Sequence, residues 1–186
     1  MRDIADWAER ALDHQPTDIA LFERALTHSS RGDDHYERLE FLGDRVLGLT
    51  IAAWLYELFP HEPEGKLSRR LNVLVSRESC AEVAREMQLG SEVILGKQPR
   101  DDGAADSDNV LGDVVEALIG ALYLDGGLDA ASRFIRSAWG ERVSARTHAP
   151  KHPKSELQEW AAAHDRRPPE YRLLGRSGPH HGPPFS

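Results

Sequence analysis

Between Asn109 and Leu124 the chain reads NVLGDVVEALIGALYL, an apolar stretch that carries two acids, Asp113 and Glu116, and no base. This stretch limits the fold more than any other. It is shorter than the roughly 18 to 20 apolar residues that a membrane-crossing helix needs. Val114, Val115, Leu118 and Ile119 surround the acids at helical spacing, so the segment has to be a helix packed among other helices. Asp113 and Glu116 are three apart and point the same way. A carboxylate kept from water must be paired or neutralised, and nothing basic in this run can do it. A divalent cation is the natural partner.

A second segment repeats the arrangement. In YERLEFLGDRVL, Glu37, Glu40 and Asp44 fall at i, i+3 and i+7 and share a face, beside an apolar stripe of Leu39, Leu42, Val46, Leu49 and Ala53. Four or five carboxylates converging on one point repel each other and bind protons more tightly unless a cation joins them. Hard oxygen ligands select Mg²⁺ or Mn²⁺ over zinc, and no His/Cys cluster of zinc spacing occurs. Magnesium held by acids is the usual apparatus for breaking phosphodiesters. On spacing alone, solvated helix faces remain the alternative.

The first 140 or so residues read as successive helices: Met1–His14, Ile19–Ser29, Tyr36–Phe59, one or two between Leu67 and Leu89, Asn109–Leu124, and Leu128–Val143. Residues 97–108 (KQPRDDGAADSD) are polar and turn-rich and read as a loop; Asp125-Gly126-Gly127 reads as a helix stop. The acidic start lacks a cleavable apolar stretch and reads as an ordinary helix, not a signal peptide. The single cysteine, Cys80, excludes an internal disulfide and fits a reducing cytoplasm, the expected location. The net charge of −8 hides an asymmetry: residues 142–176 carry eight Lys/Arg against four Asp/Glu, while the remainder is strongly acidic. A phosphate-binding tail on an acidic, metal-binding body accounts for both. Residues 144–152, rich in small and polar residues, read as a linker. Beyond it a short helix (154–164) and a strand-like stretch (170–174) form a second piece of about 34 residues.

The motifs then converge. ERLEFLGDRVL closely resembles the signature of bacterial ribonuclease III. ALTHSS at 25–30, EGKLS at 64–68 and LGDVVEALIGALYLDGG at 111–127 resemble further elements of that family, in its order. Residues 153–185 are similar to the opening of its double-stranded-RNA-binding domain. The resemblance implies an all-α ribonuclease III-type helical bundle over residues 1–143, followed by a truncated α-β fragment of an RNA-binding domain at 153–186. It implies an endoribonuclease that hydrolyses double-stranded RNA with Mg²⁺ (Mn²⁺ substituting), leaves 5′-phosphate and 3′-hydroxyl ends, and processes ribosomal precursors and other structured RNAs. A duplex-RNA-binding protein that does not cut is the alternative.

Residue by residue, the resemblance assigns Glu40, Asp44, Asp113 and Glu116 to metal binding, with Asp44 and Glu116 the most direct catalytic participants. Glu37 and Glu64 match accessory acids. Phe41 matches an aromatic that enters the partner subunit of a homodimer. Ser155, Gln158 and Glu159, with Pro179, His180 and His181, match positions that meet RNA minor grooves, where exposed 2′-hydroxyls let polar side chains read shape. Departures are Tyr36 where many members have asparagine, Arg45 where many have serine, and Gly112 for a common alanine. Arg45 is offset by about 100° from Asp44 on a helix and is expected to favour RNA or interface contacts. A complete RNA-binding domain of this type continues through further strands and a second helix, so residues 153–186 correspond to only its opening.

Overall fold

Two long helices, crossing each other without intervening side chains, organise the structure. In the computed structural model they are α3 (Glu37–Leu58) and α7 (Asp108–Ala145). The structure describes residues 4–145, together with Leu157, Trp160, Ala161, His164, Arg166, Arg167 and Pro169. Around α3 and α7 lie α1 (Ile4–Leu12), α2 (Ile19–Ala25), α4 (Glu64–Leu74), α5 (Arg77–Glu86) and the short α6 (Lys97–Asp101). The all-α expectation holds. Among the described residues the only β-type pairing is an isolated parallel bridge between Thr27 and Ile94.

Local chemistry sets several boundaries. Asp18 caps α2 by accepting a hydrogen bond from the backbone N–H of Ala20. Ser76 does the same for α5 through Ser79, which divides the 67–89 region into two helices, not one. The Asp125-Gly126-Gly127 stop is real but abrupt. Gly127 adopts φ +73°, a left-handed value that only glycine takes without strain, and the second half of α7 resumes at once. The polar 97–108 stretch, expected as a loop, instead holds α6 and a 3-10 turn at Ala104–Asp106. It is pinned from outside: the Arg85 guanidinium donates to Asp106 and Asp108, and Ala104 and Ala105 pack on the core.

Packing also corrects the expected face of α3. Its buried side chains are Leu39, Val46, Leu47, Thr50, Ile51 and Leu55, whereas Leu49 is exposed and Ala53 faces solvent as well. Apolar residues occupy two faces of this helix, and the helix pattern alone does not choose between them. The choice is made by glycine. A Cβ on Gly43 would lie 1.7 Å from the carbonyl oxygen of Glu116, and one on Gly120 would lie 2.3 Å from that of Leu39. The backbones of α3 and α7 are therefore in direct contact, and the face of α3 carrying Gly43 must turn inward.

The far end of the bundle is closed by Trp139, fully buried, whose indole N–H donates to the carbonyl of Leu74 at 2.8 Å. Arg70, also buried, forms a two-pronged pair with Glu62 and stacks on the Phe59 ring. Asp125, almost fully buried, accepts from the backbone N–H groups of Thr17 and Asp18 and contacts His14 Nε2 at 2.6 Å, tying the α1–α2 junction to α7. Among the described residues no helix is long and apolar enough to cross a membrane. The chain divides into two units, residues 1–150 and 151–186. In the second, Leu157, Trp160 and Ala161 are helical and Trp160 stacks on His164.

Candidate active site

The glycine contact dictates where the acids meet. Glu40 and Asp44 flank Gly43 on α3; Asp113 and Glu116 occupy the opposing turn of α7, whose Glu116 carbonyl touches Gly43. Because the helices touch there, the four carboxylates line one cavity of about 270 Å³, together with Val75, Arg77 and Gly112. Four acids picked out of two segments some 70 residues apart thus surround a single space.

The electrostatics follow from that crowding. Burial, with the neighbouring charges of Glu40 and Asp113, pushes the Glu116 carboxyl up to about 7. Glu40 is raised by burial and then by Asp113 and Glu37. Asp113 is raised by burial although the Tyr36 hydroxyl and Arg77 oppose the shift. Three of the four acids are therefore held in a state that favours a bound cation or a bound proton.

Three of the four carboxylates also have a nearby partner on the protein. Tyr36, buried at the start of α3, donates its hydroxyl to Asp113 at 3.3 Å. The buried thiol of Cys80 lies 3.8 Å from Glu116, and burial followed by that carboxylate drives the thiol far above its usual range. Asp44 pairs with Arg45. The expected backbone offset of Arg45 from Asp44 is present, but the long, mostly exposed side chain folds back along the helix to Asp44 while its guanidinium lies 5.3 Å from the Phe41 ring centre. The pair is solvent-exposed and correspondingly weak.

These residues fit a hard divalent ion. The donors are all oxygen, the acids outnumber the one base that lines the cavity, and burial keeps their charge underscreened. Among the described residues no three His, Cys, Asp or Glu side chains converge tightly enough to ligate an ion as they stand. Tyr36, Cys80 and Arg45 each engage one oxygen of Asp113, Glu116 and Asp44, which leaves every one of these carboxylates a second oxygen for a cation.

The remaining expected residues are distributed as follows. Glu37 lies one turn before Glu40, outside the four-acid cavity but within its field, and lines a separate groove of about 830 Å³ with Phe41, Arg38 and Leu124. Glu64 begins α4 and accepts from the Ser68 hydroxyl at 2.5 Å; it does not line the cavity. Phe41 is 67% exposed and belongs to no core of its own chain. Ser155, Gln158, Glu159, Pro179, His180 and His181 lie outside the described residues. Sequence reasoning missed Gly43 and Gly120 as the crossing point, Tyr36 and Cys80 as partners of the acids, and Arg77 as the cavity's base.

Comparison with known proteins agrees with the geometry. Residues 18–141 match the family described as Ribonuclease-III-like. The chain is 62% identical over 180 residues to Ribonuclease 3 of Zymomonas mobilis, covering 97% of this chain and 73% of that protein. It is 47% identical to Ribonuclease 3 of Rhodopseudomonas palustris over 95% of this chain and 67% of that one. A solved nuclease domain of ribonuclease III from Campylobacter jejuni, described as structurally flexible in a region involved in dimer formation, superposes with a TM-score of 0.69 at 33% identity, over 73% of this chain and 98% of that domain. The acid-lined helix crossing is thus carried by a member of the ribonuclease III family, a nuclease of the endoribonuclease type.

Proposed function

We propose that the chain hydrolyses phosphodiester bonds in double-stranded RNA with Mg²⁺, leaving 5′-phosphate and 3′-hydroxyl ends, and that its targets include ribosomal precursors and other structured transcripts. The observation that carries this reading is the meeting of Glu40, Asp44, Asp113 and Glu116 around one cavity at the α3–α7 contact. Magnesium bound there supplies an activated water and screens charge on the phosphate. The chain's own contribution is placement: α3 and α7 hold four oxygen donors on a close backbone contact. Manganese, with the same preference for oxygen, substitutes.

The working unit in this proposal is a homodimer. Phe41, Leu49 and Tyr56 are exposed at 67%, 59% and 74% along one side of α3, an apolar stripe left uncovered by the chain's own core. Two copies meeting there bury the stripes and bring two acid cavities to one duplex. The direct test incubates the purified chain with a long RNA duplex and Mg²⁺, with and without chelator. Chelator-sensitive cleavage that Glu116→Ala abolishes, while RNA binding persists, is the expected result. A chain that binds duplex but never cuts it, with Glu116→Ala changing nothing, overturns the proposal.

A further inference from the structure

Arg77 is the one basic residue that lines the acid cavity. Its partner is unexpected. With four carboxylates around it, the guanidinium hydrogen-bonds a neutral group, the side-chain oxygen of Asn109, through Nη1 at 3.0 Å. Among the described residues Arg77 makes no ion pair, whereas Arg24, Arg45, Arg70, Arg85, Arg136 and Arg142 all do. The residue is also exposed, so its free donors are open to a ligand. It is felt by the acids, since its charge lowers the proton affinity of Glu40, Asp113 and Glu116.

Two further features show that this placement is not a by-product of helix stability. Arg77 opens α5, directly after the Ser76 cap, where the helix dipole disfavours a positive charge. Its stem lies over Gly112: a Cβ there would approach Arg77 Cγ to 3.3 Å and the Arg77 carbonyl to 3.4 Å. A side chain at position 112 would press on the stem of the arginine. Asn109 and Gly112, one turn apart on α7, act as tether and seat.

We infer that Arg77 is a substrate-contacting residue, a phosphate clamp that Asn109 orients toward the phosphodiester of the RNA strand lying over the four carboxylates. An anion brought to an acidic cavity needs a positive group beside the metal. A guanidinium suits the purpose because its planar fork can keep one N–H on Asn109 and present others to two phosphate oxygens. The inference rests on the function proposed above.

The test is steady-state cleavage of an RNA duplex by the full chain across a Mg²⁺ titration up to saturation, comparing wild type with Arg77→Gln, Arg77→Lys and Asn109→Ala. Arg77→Gln is expected to lose about 10- to 100-fold in kcat/KM without needing more Mg²⁺, because removing a positive charge from beside the acids does not weaken cation binding. Arg77→Lys recovers part of the loss, and Asn109→Ala shows a smaller deficit of about 3- to 10-fold. In a Glu116→Gln background, adding Arg77→Gln lowers the salt dependence of duplex binding by about one phosphate contact per active site engaged. Arg77→Gln cleaving within twofold of wild type, or a deficit that vanishes as Mg²⁺ is raised, overturns the inference; the latter result would mean that Arg77 acts on the carboxylates and not on RNA. If Arg77→Gln folds poorly, wild-type kcat/KM in both Arg77→Lys and Asn109→Ala is equally decisive against it. Failure of wild type itself to cut duplex is a different result and removes the functional proposal.

Discussion

Replacing Glu116 by glutamine should stabilise the metal-free protein while abolishing its cleavage of RNA. The fold raises the Glu116 carboxyl from about 4.5 in an unfolded chain to about 7, chiefly by burial and then through Glu40 and Asp113. A raised acid favours its neutral form in the folded state. Below about pH 4.5 the group is neutral folded or unfolded and exerts no penalty. As pH climbs the unfolded chain ionises first, stability falls, and the loss is complete once pH passes about 7. Each tenfold of proton affinity is worth about 1.4 kcal/mol, so the full penalty is about 3 kcal/mol at most, since the group is not wholly shielded from water. Glutamine, equal in shape and never ionised, removes it. The gain works out at roughly 0.4 kcal/mol at pH 4.5, about 1.4 at pH 5.5 and about 3 at pH 8. In a protein of this size that is roughly a 10 °C rise in Tm at pH 8. Thermal melts of wild type and Glu116→Gln in chelator, at pH 5.5 and 8, read the effect directly. Added Mg²⁺ should then raise the wild-type Tm more than that of the variant. A variant no more stable than wild type at pH 8, or a gain that does not grow with pH, would refute the claim that this carboxyl is held in an unfavourable charged state.

Gly43→Ala should cost about 3 kcal/mol or more, because its methyl would collide with the Glu116 backbone carbonyl and force α3 and α7 apart; urea unfolding measures the loss, and a decrease under about 1 kcal/mol would mean the helices do not touch there. Phe41→Ala should shift sedimentation toward monomer, weakening self-association by about 2 kcal/mol or more as expected for an exposed aromatic anchor, and an unchanged species distribution would dismiss its interface role. Asp125→Asn should destabilise by about 2 kcal/mol, since an amide cannot accept from Thr17, Asp18 and His14 as the carboxylate does; chemical denaturation at pH 7 that shows less than 0.5 kcal/mol would count against that tie.

Much of the site could be read from the chain because two local rules coincide in it. Acids three or four apart share a helix face, and acids inside an apolar run lack an ordinary reason to be there; Asp113 and Glu116 satisfy both. What brings them to Glu40 and Asp44 is of another kind. Gly43 and Gly120 look like weak points in isolated helices, and their value exists only as a pair across some 77 residues of sequence. The exposed Leu49 and Ala53 mislead for the same reason: they match the helical period as well as the buried positions do, and only the partner helix distinguishes the two faces. Arg45 reaches Asp44 despite its offset because a backbone angle does not limit a flexible four-torsion side chain. Asn109, Tyr36 and Cys80 carry no local signal at all, since each matters only through a group on another helix.

The glycine contact also explains why stability and chemistry conflict at one place. Bringing backbones together excludes water from the crossing, and that exclusion both builds the core around Val114, Leu118 and Leu47 and strips solvent from Glu116 and Asp113. A looser crossing would relieve the carboxylates, leaving them ordinary surface acids with little demand for a cation. A tighter apolar seal would exclude the RNA strand. The fold keeps its closest contact at Gly43 and opens immediately beside it, toward Asp44 and the exposed Arg77, so that the acids are desolvated from the protein side and reachable from the other. If that is correct, substitutions that fill the opening, such as Val75→Trp on the cavity wall, should leave the helix pair intact yet reduce cleavage, whereas those at Gly43 should remove both together. Circular dichroism paired with the duplex-cleavage assay separates the two cases, and a Val75→Trp protein that is folded and fully active would show that access through this opening is not needed.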